Sequence, residues 1–353
     1  MSRLSDDHIR HLRELVGQPD LADTRFELIR KIAVGGMGTV YLAQDRELGR
    51  SVALKVLSVP DTTGALTARM VREAKTVAQL EHPGIVPVHT VGRLPDGRVY
   101  YSMKFVEGET LEEHRRKRDN LSGLLRIFQK VCEAVEFAHS RGVLHRDLKP
   151  SNIMVGPFGE VLVMDWGIAT RLRESTGSAP DALADPGARP GSGENLPDTA
   201  HGTVLGTPAY MSPEQAQGRI NDLDCRTDVY GLGGILYFLL TGKEPYSGDS
   251  VDAILARVTA GDLRKPREIS RSIPKQLEAI CLKAMATDPS RRYESATCLA
   301  GDVTLYLDGQ PVSAYSESIV EKSARWLSRN QFIVFVILTY IIVRLAVLFW
   351  RGI

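Results

Sequence analysis

A short polar run near the middle of the chain holds several ionisable side chains within eight residues. It reads His145-Arg146-Asp147-Leu148-Lys149-Pro150-Ser151-Asn152. An apolar helical pattern at 127–138 precedes the run, and a hydrophobic strand pattern at 161–164, followed by Asp165, comes after it. A lone aspartate in such a place is usually part of a solvated turn. Several ionisable groups in this order, between two apolar elements, instead predict a catalytic loop.

The chemistry assigns a role to each of these side chains. Phosphoryl transfer needs a carboxylate that orients the attacking hydroxyl, oxygen ligands for Mg²⁺, and cations against the developing charge. Asp147 suits the first role, and Asn152 and Asp165 suit the second as metal ligands. Lys149 and Lys55 suit the third. We therefore expect Asp147, Lys149 and Lys55 to be catalytic.

A glycine-rich segment lies between two predicted strands near the amino terminus. It reads Ala33-Val34-Gly35-Gly36-Met37-Gly38-Thr39-Val40. Glycines let a backbone approach a phosphate closely, although alone such a segment indicates no more than a hairpin turn. The next strand carries Lys55 among apolar residues, where an unpaired ammonium would be costly. Lys55 therefore needs anionic partners, which nucleotide phosphates and Glu73 of the following helical pattern can supply.

The elements that must position these groups change character along the chain. Strand patterns dominate up to position 105, and from Leu111 the pattern is mostly helical. The strands are predicted at Phe26–Ala33, Thr39–Asp45, Ser51–Leu57, Ile85–Arg93 and Arg98–Phe105, with a helix at Leu66–Leu80. A small β-rich part followed by a larger α-rich part, an α+β arrangement, places the site at their junction.

Over residues 26–307 this order of motifs resembles that of protein kinases. Lys149 and the run Gly206-Thr207-Pro208-Ala209-Tyr210 are similar to those of kinases that phosphorylate Ser or Thr. The segments GGMGTVY, HRDLKPSN and YMSPEQAQG look most like those of the bacterial, membrane-anchored Hanks-type members. The resemblance implies a bilobal kinase fold, with an N-lobe at 26–106 and a C-lobe at 107–307.

The resemblance also implies roles for individual residues. Met103 would guard the back of the adenine pocket. Glu214, in Ser212-Pro213-Glu214, would pair with Arg292, and Asp228 would hold the backbone of the catalytic loop. The residues expected to bind ATP are Ala33, Val34, Gly35, Gly36, Met37, Gly38, Val40, Lys55, Glu73, the hinge residues Lys104 and Val106, Asn152 and Asp165, with Mg²⁺ or Mn²⁺ as the metal.

Three residues depart from the family pattern. Ala33 replaces the first glycine of the loop, which adds only one methyl group. Trp166 replaces the usual Phe after the metal-binding Asp. Its larger ring could stabilise one position of that segment over another, so we expect it to affect the change between positions more than catalysis. Lys104 stands at a hinge position where an acidic residue is more frequent, so it changes the local charge near the pocket.

A low-complexity stretch at 173–199 lies inside the activation segment, which runs from Asp165 to Glu214. It is rich in Gly, Pro, Ser, Ala and Asp and is predicted to be a mobile insertion. We predict autophosphorylation at Thr199 or Thr203, because a phosphothreonine could pair with Arg146. Further hydroxyls in the insertion are Ser175, Thr176, Ser178 and Ser192.

The two flanks of the kinase-like region differ in character. Residues 1–25 form a charged extension without the apolar core of a signal peptide. A polar juxtamembrane segment is predicted at 308–330, and the apolar segment 331–350 has about the length that crosses a bilayer. Arg344 lies toward one end of that segment, where it could snorkel to the interface. The prediction is a single-pass inner-membrane protein with a cytoplasmic kinase domain; a surface-lying or oligomerising helix is the alternative.

Composition excludes several other classes of protein. At 353 residues, 43% hydrophobic and 25% charged, the chain is an ordinary globular protein, and its net charge of +1 gives no reason to expect nucleic-acid binding. The four cysteines are far apart without C-x-x-C spacing. They argue against a zinc site or a disulfide framework, and for a reducing compartment.

Three functions are weighed against one another. The first is an ATP- and Mg²⁺-dependent kinase that acts on Ser or Thr of protein substrates, with a second copy of the chain as a further candidate partner. The second is a pseudokinase scaffold, which the presence of Lys55, Asp147, Asn152 and Asp165 disfavours. The third is a small-molecule kinase similar to aminoglycoside and choline kinases. The Ser-Pro-Glu segment disfavours it, because that segment builds a platform for peptides.

Overall fold

The computed structural model describes residues 18–22, 24–35, 38–58, 61, 64–118, 120–166, 170–171, 207–323 and 330–350. The expected insertion at 173–199 and its hydroxyls therefore lie outside the described residues. The amino-terminal part contains β1 (Phe26–Val34), β2 (Gly38–Asp45), β3 (Arg50–Leu57), α1 (Ala65–Ala78), β4 (Val88–Arg93) and β5 (Val99–Lys104). Its strands form one antiparallel sheet in the order β1-β2-β3-β5-β4.

Strand β3 shows why this sheet forms. Val52, Leu54 and Val56 belong to an apolar cluster on one face of the sheet. The alternate residues Ala53 and Leu57 belong to the main core on the other face. This separation follows from the two-residue period of a strand, in which successive side chains point to opposite faces. The lysine between Leu54 and Val56 therefore faces the main core and the junction.

Strand β4 begins later than the predicted strand at 85–93. Ile85 pairs only through an isolated parallel bridge to Val163. Pro87 follows, which has no backbone N–H to donate to a ladder, and the regular strand starts at Val88. The predicted helix at 66–80 is confirmed within two residues at either end.

Beyond β5 the chain is mainly helical, as expected. The helices are α2 (Leu111–Lys117), α3 (Leu121–Ser140), α4 (Pro213–Ala216), α5 (Cys225–Thr241), α6 (Val251–Ala260), α7 (Pro266–Ile269), α8 (Lys275–Ala284), α9 (Ala296–Leu307) and α10 (Gln331–Trp350). Residues 227–240 of α5 are all buried. A helix that is buried on every side is the centre of the domain, around which the other helices pack. The predicted succession of a sheet-rich part and a helical part is confirmed.

Short strands carry the catalytic loop at the junction. They are β6 (Glu109–Thr110), β7 (Val143–Leu144), β8 (Ile153–Val155), β9 (Val161–Val163) and β10 (Thr170–Arg171). Strands β6, β8 and β9 form one small sheet, and β7 pairs with β10. The polar run 145–152 leaves β7 and enters β8, so both of its ends are held by backbone ladders.

The chain after α9 packs back onto the helical part. We call residues 310–316 the carboxy-terminal strap. Val312 is buried in the main core, and the carboxylate of Asp302 in α9 binds the strap through hydrogen bonds. The Asp302 carboxylate accepts hydrogen bonds from the N–H groups of Ser313 (2.7 Å) and Ala314 (3.1 Å). It also accepts from the Ser313 hydroxyl at 2.8 Å and from the Tyr293 hydroxyl at 2.7 Å. The folded unit therefore extends past the predicted boundary at 307.

The segment 331–350, predicted to cross a bilayer, forms helix α10. Among the residues that the structure describes, however, no helix is both long enough and apolar enough to span a membrane. The predicted transmembrane helix is therefore not supported. Arg344 interrupts the apolar run, and a charged side chain within hydrocarbon is costly.

The strap yields a stability prediction. Asp302→Asn removes the charge and replaces one acceptor oxygen with a donor group, so partly buried donors of the strap, or the buried hydroxyl of Tyr293, lose an acceptor. We expect the free energy of unfolding to fall by about 2 to 3 kcal/mol. Urea unfolding measures this, with Asp308→Asn, an exposed aspartate at the end of the same helix, as the control. Equal stability of the two variants would contradict the role assigned to the strap.

Candidate active site

One buried carboxylate holds the backbone of the catalytic loop. Asp228, in the first turn of α5, is 1% exposed and accepts hydrogen bonds from the N–H groups of His145 and Arg146, both at 2.8 Å. The ring of His139 lies 2.8 Å from the same carboxylate. Burial alone would raise the pKa of Asp228, but His139, His145 and the Arg146 N–H together lower it. Arg146 has a φ of 68°, a left-handed conformation that costs energy for a residue with a side chain. The two hydrogen bonds to Asp228 fix this turn.

Asp147 follows this turn and is surrounded by donors. The ammonium of Lys149 lies 2.8 Å from Asp147 Oδ2, and the amide nitrogen of Asn152 donates to the Asp147 carbonyl at 2.8 Å. The backbone N–H of Thr207 donates to Asp147 Oδ1 at 3.2 Å, and its hydroxyl lies 2.7 Å from the Lys149 ammonium. The carboxylate is therefore held in one orientation, beside a cation that already binds a threonine hydroxyl.

Lys55 lies between two carboxylates at the edge of the sheet. Its ammonium is 2.8 Å from Glu73 of α1 and 2.9 Å from Asp165. Burial alone would lower the pKa of Lys55, but Tyr101, Asp165 and Glu73 outweigh it and raise that pKa above its ordinary value. Lys55 therefore stays charged, as its expected role requires. The hydroxyl of Tyr101 also donates to Glu73, at 2.7 Å.

Asp165 joins the lysine to the catalytic loop. Burial would raise the pKa of Asp165, but Lys55 first, and then His145 and Lys149, lower it. The lysine of the sheet and the charged residues of the catalytic loop therefore act on the same carboxylate. The φ of Asp165 is 55°, a second strained position, and strain of this kind often marks functional sites. Trp166 is buried, with its ring centroid 4.6 Å from that of His145. The indole thus packs under the loop, while Gly167 lies outside the described residues.

The expected nucleotide-binding segments flank this cluster. Gly35 and Gly38 close the β1–β2 hairpin with a hydrogen bond of 2.8 Å, and the tip between them, Gly36 and Met37, lies outside the described residues. A side chain at Gly38 would collide with the carbonyl of Val56, so this glycine is required by strand packing. Ala33 and Val34 are exposed in β1, and Val40 packs against the main core.

The hinge follows β5 directly. Met103 is buried behind the junction, and the Lys104 N–H donates to the carbonyl of Pro87 at 3.0 Å. Val106 makes no backbone hydrogen bond to another described residue. Its N–H and C=O therefore remain free to pair with the edge of a planar base, whereas the Lys104 N–H is already engaged.

The donor set fits a magnesium-bound nucleoside triphosphate. Asp165 is half exposed and uses one oxygen for Lys55, while Asn152 uses its amide nitrogen, so each retains an oxygen that no other described residue engages. Carboxylate and amide oxygens suit Mg²⁺, which takes its other ligands from phosphate and water. The described residues contain no group of three or more His, Cys, Asp or Glu side chains that could hold a metal ion by themselves. A resident all-protein metal cage is therefore absent from this part of the chain.

The expected peptide platform is tied to the loop. Arg292 forms a bidentate ion pair with Glu214, with Nη1 at 2.7 Å from Oε1 and Nη2 at 2.8 Å from Oε2, and both side chains are buried. The next residue, Gln215, donates its side-chain amide to the carbonyl of Arg146 at 2.8 Å. The end of the activation segment is thus bonded to the catalytic loop on one side and to the helical core on the other.

The structure brings Lys55, Glu73, Asp147, Asn152 and Asp165 to one junction, and their catalytic and binding roles stay predictions. Sequence reasoning missed two residues that hold this junction together, Tyr101 and Gln215. Tyr101 could have been found from strand pairing, since it faces Lys55 across β3 and β5.

Comparisons with known proteins agree with this geometry. Residues 26–303 match the protein kinase domain family. The chain is 40% identical over 305 residues to the serine/threonine-protein kinase PknD of Chlamydia caviae, which covers 81% of this chain and 32% of the relative. It is 36% identical over 323 residues to PknD of Protochlamydia amoebophila, covering 84% and 31%. For PknD of Chlamydia pneumoniae the values are 35% over 319 residues, covering 86% and 33%. The chain spans about a third of the length of these relatives.

The buried Glu214–Arg292 pair predicts a pH-dependent stability. Burial would raise the pKa of Glu214, but Arg292 outweighs it and holds that pKa below its ordinary 4.5. The stabilisation is therefore present above pH 4.5 and is lost as pH falls through the lower, folded-state pKa. Glu214→Gln should lower the free energy of unfolding at pH 7 by about 3 kcal/mol.

The measurement is the stability difference between wild type and Glu214→Gln from pH 7 to pH 3. This difference should shrink as the pH falls below about 4.5, with Glu27→Gln, an exposed glutamate of β1, as the control. A difference that stays constant over this range would show that the charge of Glu214 contributes nothing.

Proposed function

Because this chain belongs to the protein kinase family, we propose that it transfers the γ-phosphate of ATP to Ser and Thr hydroxyls of proteins. The observation that carries the proposal is the environment of Asp147. Its carboxylate is held by Lys149 and the Thr207 backbone at one end of a cluster whose other end is Lys55 between Glu73 and Asp165. A scaffold without chemistry would not need this set of oriented charges.

The residues of the chain perform positioning and charge stabilisation. Lys55, kept charged by its two carboxylates, would bind phosphate oxygens of ATP. Mg²⁺, when bound, would neutralise phosphate charge, and Asp165 and Asn152 would hold it. Asp147 would accept the hydrogen of the substrate hydroxyl and orient its oxygen toward the γ-phosphorus. Lys149 would stabilise the charge that develops on the transferred group.

The preference for Ser and Thr rests on Lys149 and Thr207. The Lys149 ammonium already lies 2.7 Å from a threonine hydroxyl and 2.8 Å from Asp147. An aliphatic hydroxyl on a short side chain can therefore reach the Lys149 ammonium, which lies beside Asp147. The Ser212–Gln215 turn, bonded to the loop through Gln215, gives a peptide a fixed surface beside them.

Two substitutions test the chemistry. Asp147→Asn keeps the size of the side chain but removes the hydrogen acceptor, and Lys55→Met removes the phosphate-binding charge. We expect each to lower the rate of phosphate transfer from labelled ATP to a protein substrate by at least about 100-fold. Thermal unfolding checks that both variants fold, and Asp308→Asn serves as an active control. Wild-type rates in Asp147→Asn would rule out its role.

We also propose activation by autophosphorylation at Thr199 or Thr203, both outside the described residues. The support lies in Arg146, whose buried Nε has no hydrogen-bond partner among the described residues. Burial lowers the pKa of this guanidinium, against the opposite effect of Asp228, so a nearby anion would be favourable. Mass spectrometry of the active enzyme should find phosphate at one of the two threonines. A fully active preparation with both unmodified would contradict the proposal.

Location at the cytoplasmic face of the inner membrane is a further proposal, made here without a spanning helix. Its support is α10, whose side chains Phe335, Ile337 and Ile341 are exposed and apolar. Ile337→Asp together with Ile341→Asp should move the protein from the membrane fraction to the soluble fraction. Recovery of the unmodified chain in the soluble fraction would refute membrane association. Dimerisation of the chain stays a prediction.

A further inference from the structure

Tyr101 contacts the lysine–glutamate pair without belonging to the proposed chemistry. It lies in β5 directly opposite Lys55 of β3 and is 3% exposed. Its hydroxyl donates to Glu73 Oε1 at 2.7 Å, the same oxygen that lies 2.8 Å from the Lys55 ammonium. One oxygen atom thus receives a donor from each of two neighbouring strands.

The two carboxylate oxygens of Glu73 differ in their hydrogen bonds. Glu73 Oε2 is buried and has no hydrogen-bond partner among the residues that the structure describes. All hydrogen bonds of the carboxylate that are described therefore converge on Oε1, and Tyr101 supplies one of the two. Helix α1 is attached to the sheet at this point by a neutral donor as well as by an ion pair.

We propose that Tyr101 is a positioning residue, which keeps Glu73 and helix α1 against the sheet so that Lys55 stays aimed at the phosphate site before nucleotide binds. The inference rests on the proposed kinase function. An outward movement of α1 would leave the Tyr101 hydroxyl buried without a partner, in addition to separating Lys55 from Glu73. An unpaired buried hydroxyl is costly, so the closed position is favoured even in the absence of ATP.

A purely structural role for Tyr101 makes a different prediction. Its ring belongs to the main core, next to residues such as Ala53 and Met103. If the ring alone mattered, phenylalanine would serve equally well. The hydroxyl is therefore the group to test, and the neighbouring Tyr100 gives a matched control. Tyr100 belongs to the cluster on the opposite face of the sheet, away from Glu73.

The experiment compares Tyr101→Phe with Tyr100→Phe in the full chain. In nucleotide-free protein, hydrogen–deuterium exchange over α1 (Ala65–Ala78) should be roughly 3- to 10-fold faster in Tyr101→Phe and unchanged in Tyr100→Phe. In the transfer assay, kcat should fall by a similar factor of roughly 3- to 10-fold in Tyr101→Phe, with little change in KM for the protein substrate.

A double-mutant cycle tests whether the effect passes through Glu73. In a Glu73→Met background, adding Tyr101→Phe should cause no further loss of kcat and no further exchange. An undiminished effect in that background, or Tyr101→Phe behaving as Tyr100→Phe, would overturn the inference. Failure of the wild type to transfer phosphate would refute the proposed function instead, and the exchange measurement would still decide the role of Tyr101.

Discussion

The carboxylate of Asp228, buried at the start of the central helix, fixes the shape of the catalytic loop. Because α5 is enclosed on all sides, its first turn is a rigid platform, and two loop N–H groups are bonded to it. They hold Arg146 in a left-handed conformation that an isolated turn would not keep. The direction of Asp147, and with it the position proposed for the substrate hydroxyl, follows from that one constraint.

A second constraint lies on the other side of the junction, where Lys55 is nearly buried between Glu73 and Asp165. Separating these charges in a buried site would cost free energy. The contacts of Lys55 with Glu73 and Asp165 therefore hold the sheet, helix α1 and the segment after β9 together. Removing one partner would leave a buried charge without compensation. The same contacts keep the lysine charged and leave part of Asp165 exposed toward the cleft. Trp166 beneath the loop ties this segment to His145.

How much could be predicted depended on whether the signal was local. The Glu214–Arg292 pair was implied by the resemblance to protein kinases, and the general order of sheet and helices followed from patterns that lie within short stretches of sequence. Tyr101 did not, because its contact with Glu73 depends on β5 pairing with β3 across the sheet, and in an apolar strand a tyrosine is indistinguishable from a core aromatic. The strap was missed because its apolar residues, Val312, Ala314 and Tyr315, are few and lie in a short, largely polar stretch. Hydropathy alone also predicted that α10 spans a membrane, which the described residues do not support.

The most direct test of the central claim is a phosphoamino-acid analysis of protein labelled by the purified chain with ATP carrying a radioactive γ-phosphate and Mg²⁺. The geometry around Asp147, Lys149 and Thr207 predicts label on phosphoserine and phosphothreonine, and none on phosphotyrosine. Label on tyrosine, or transfer to a small molecule with none to protein, would contradict the account.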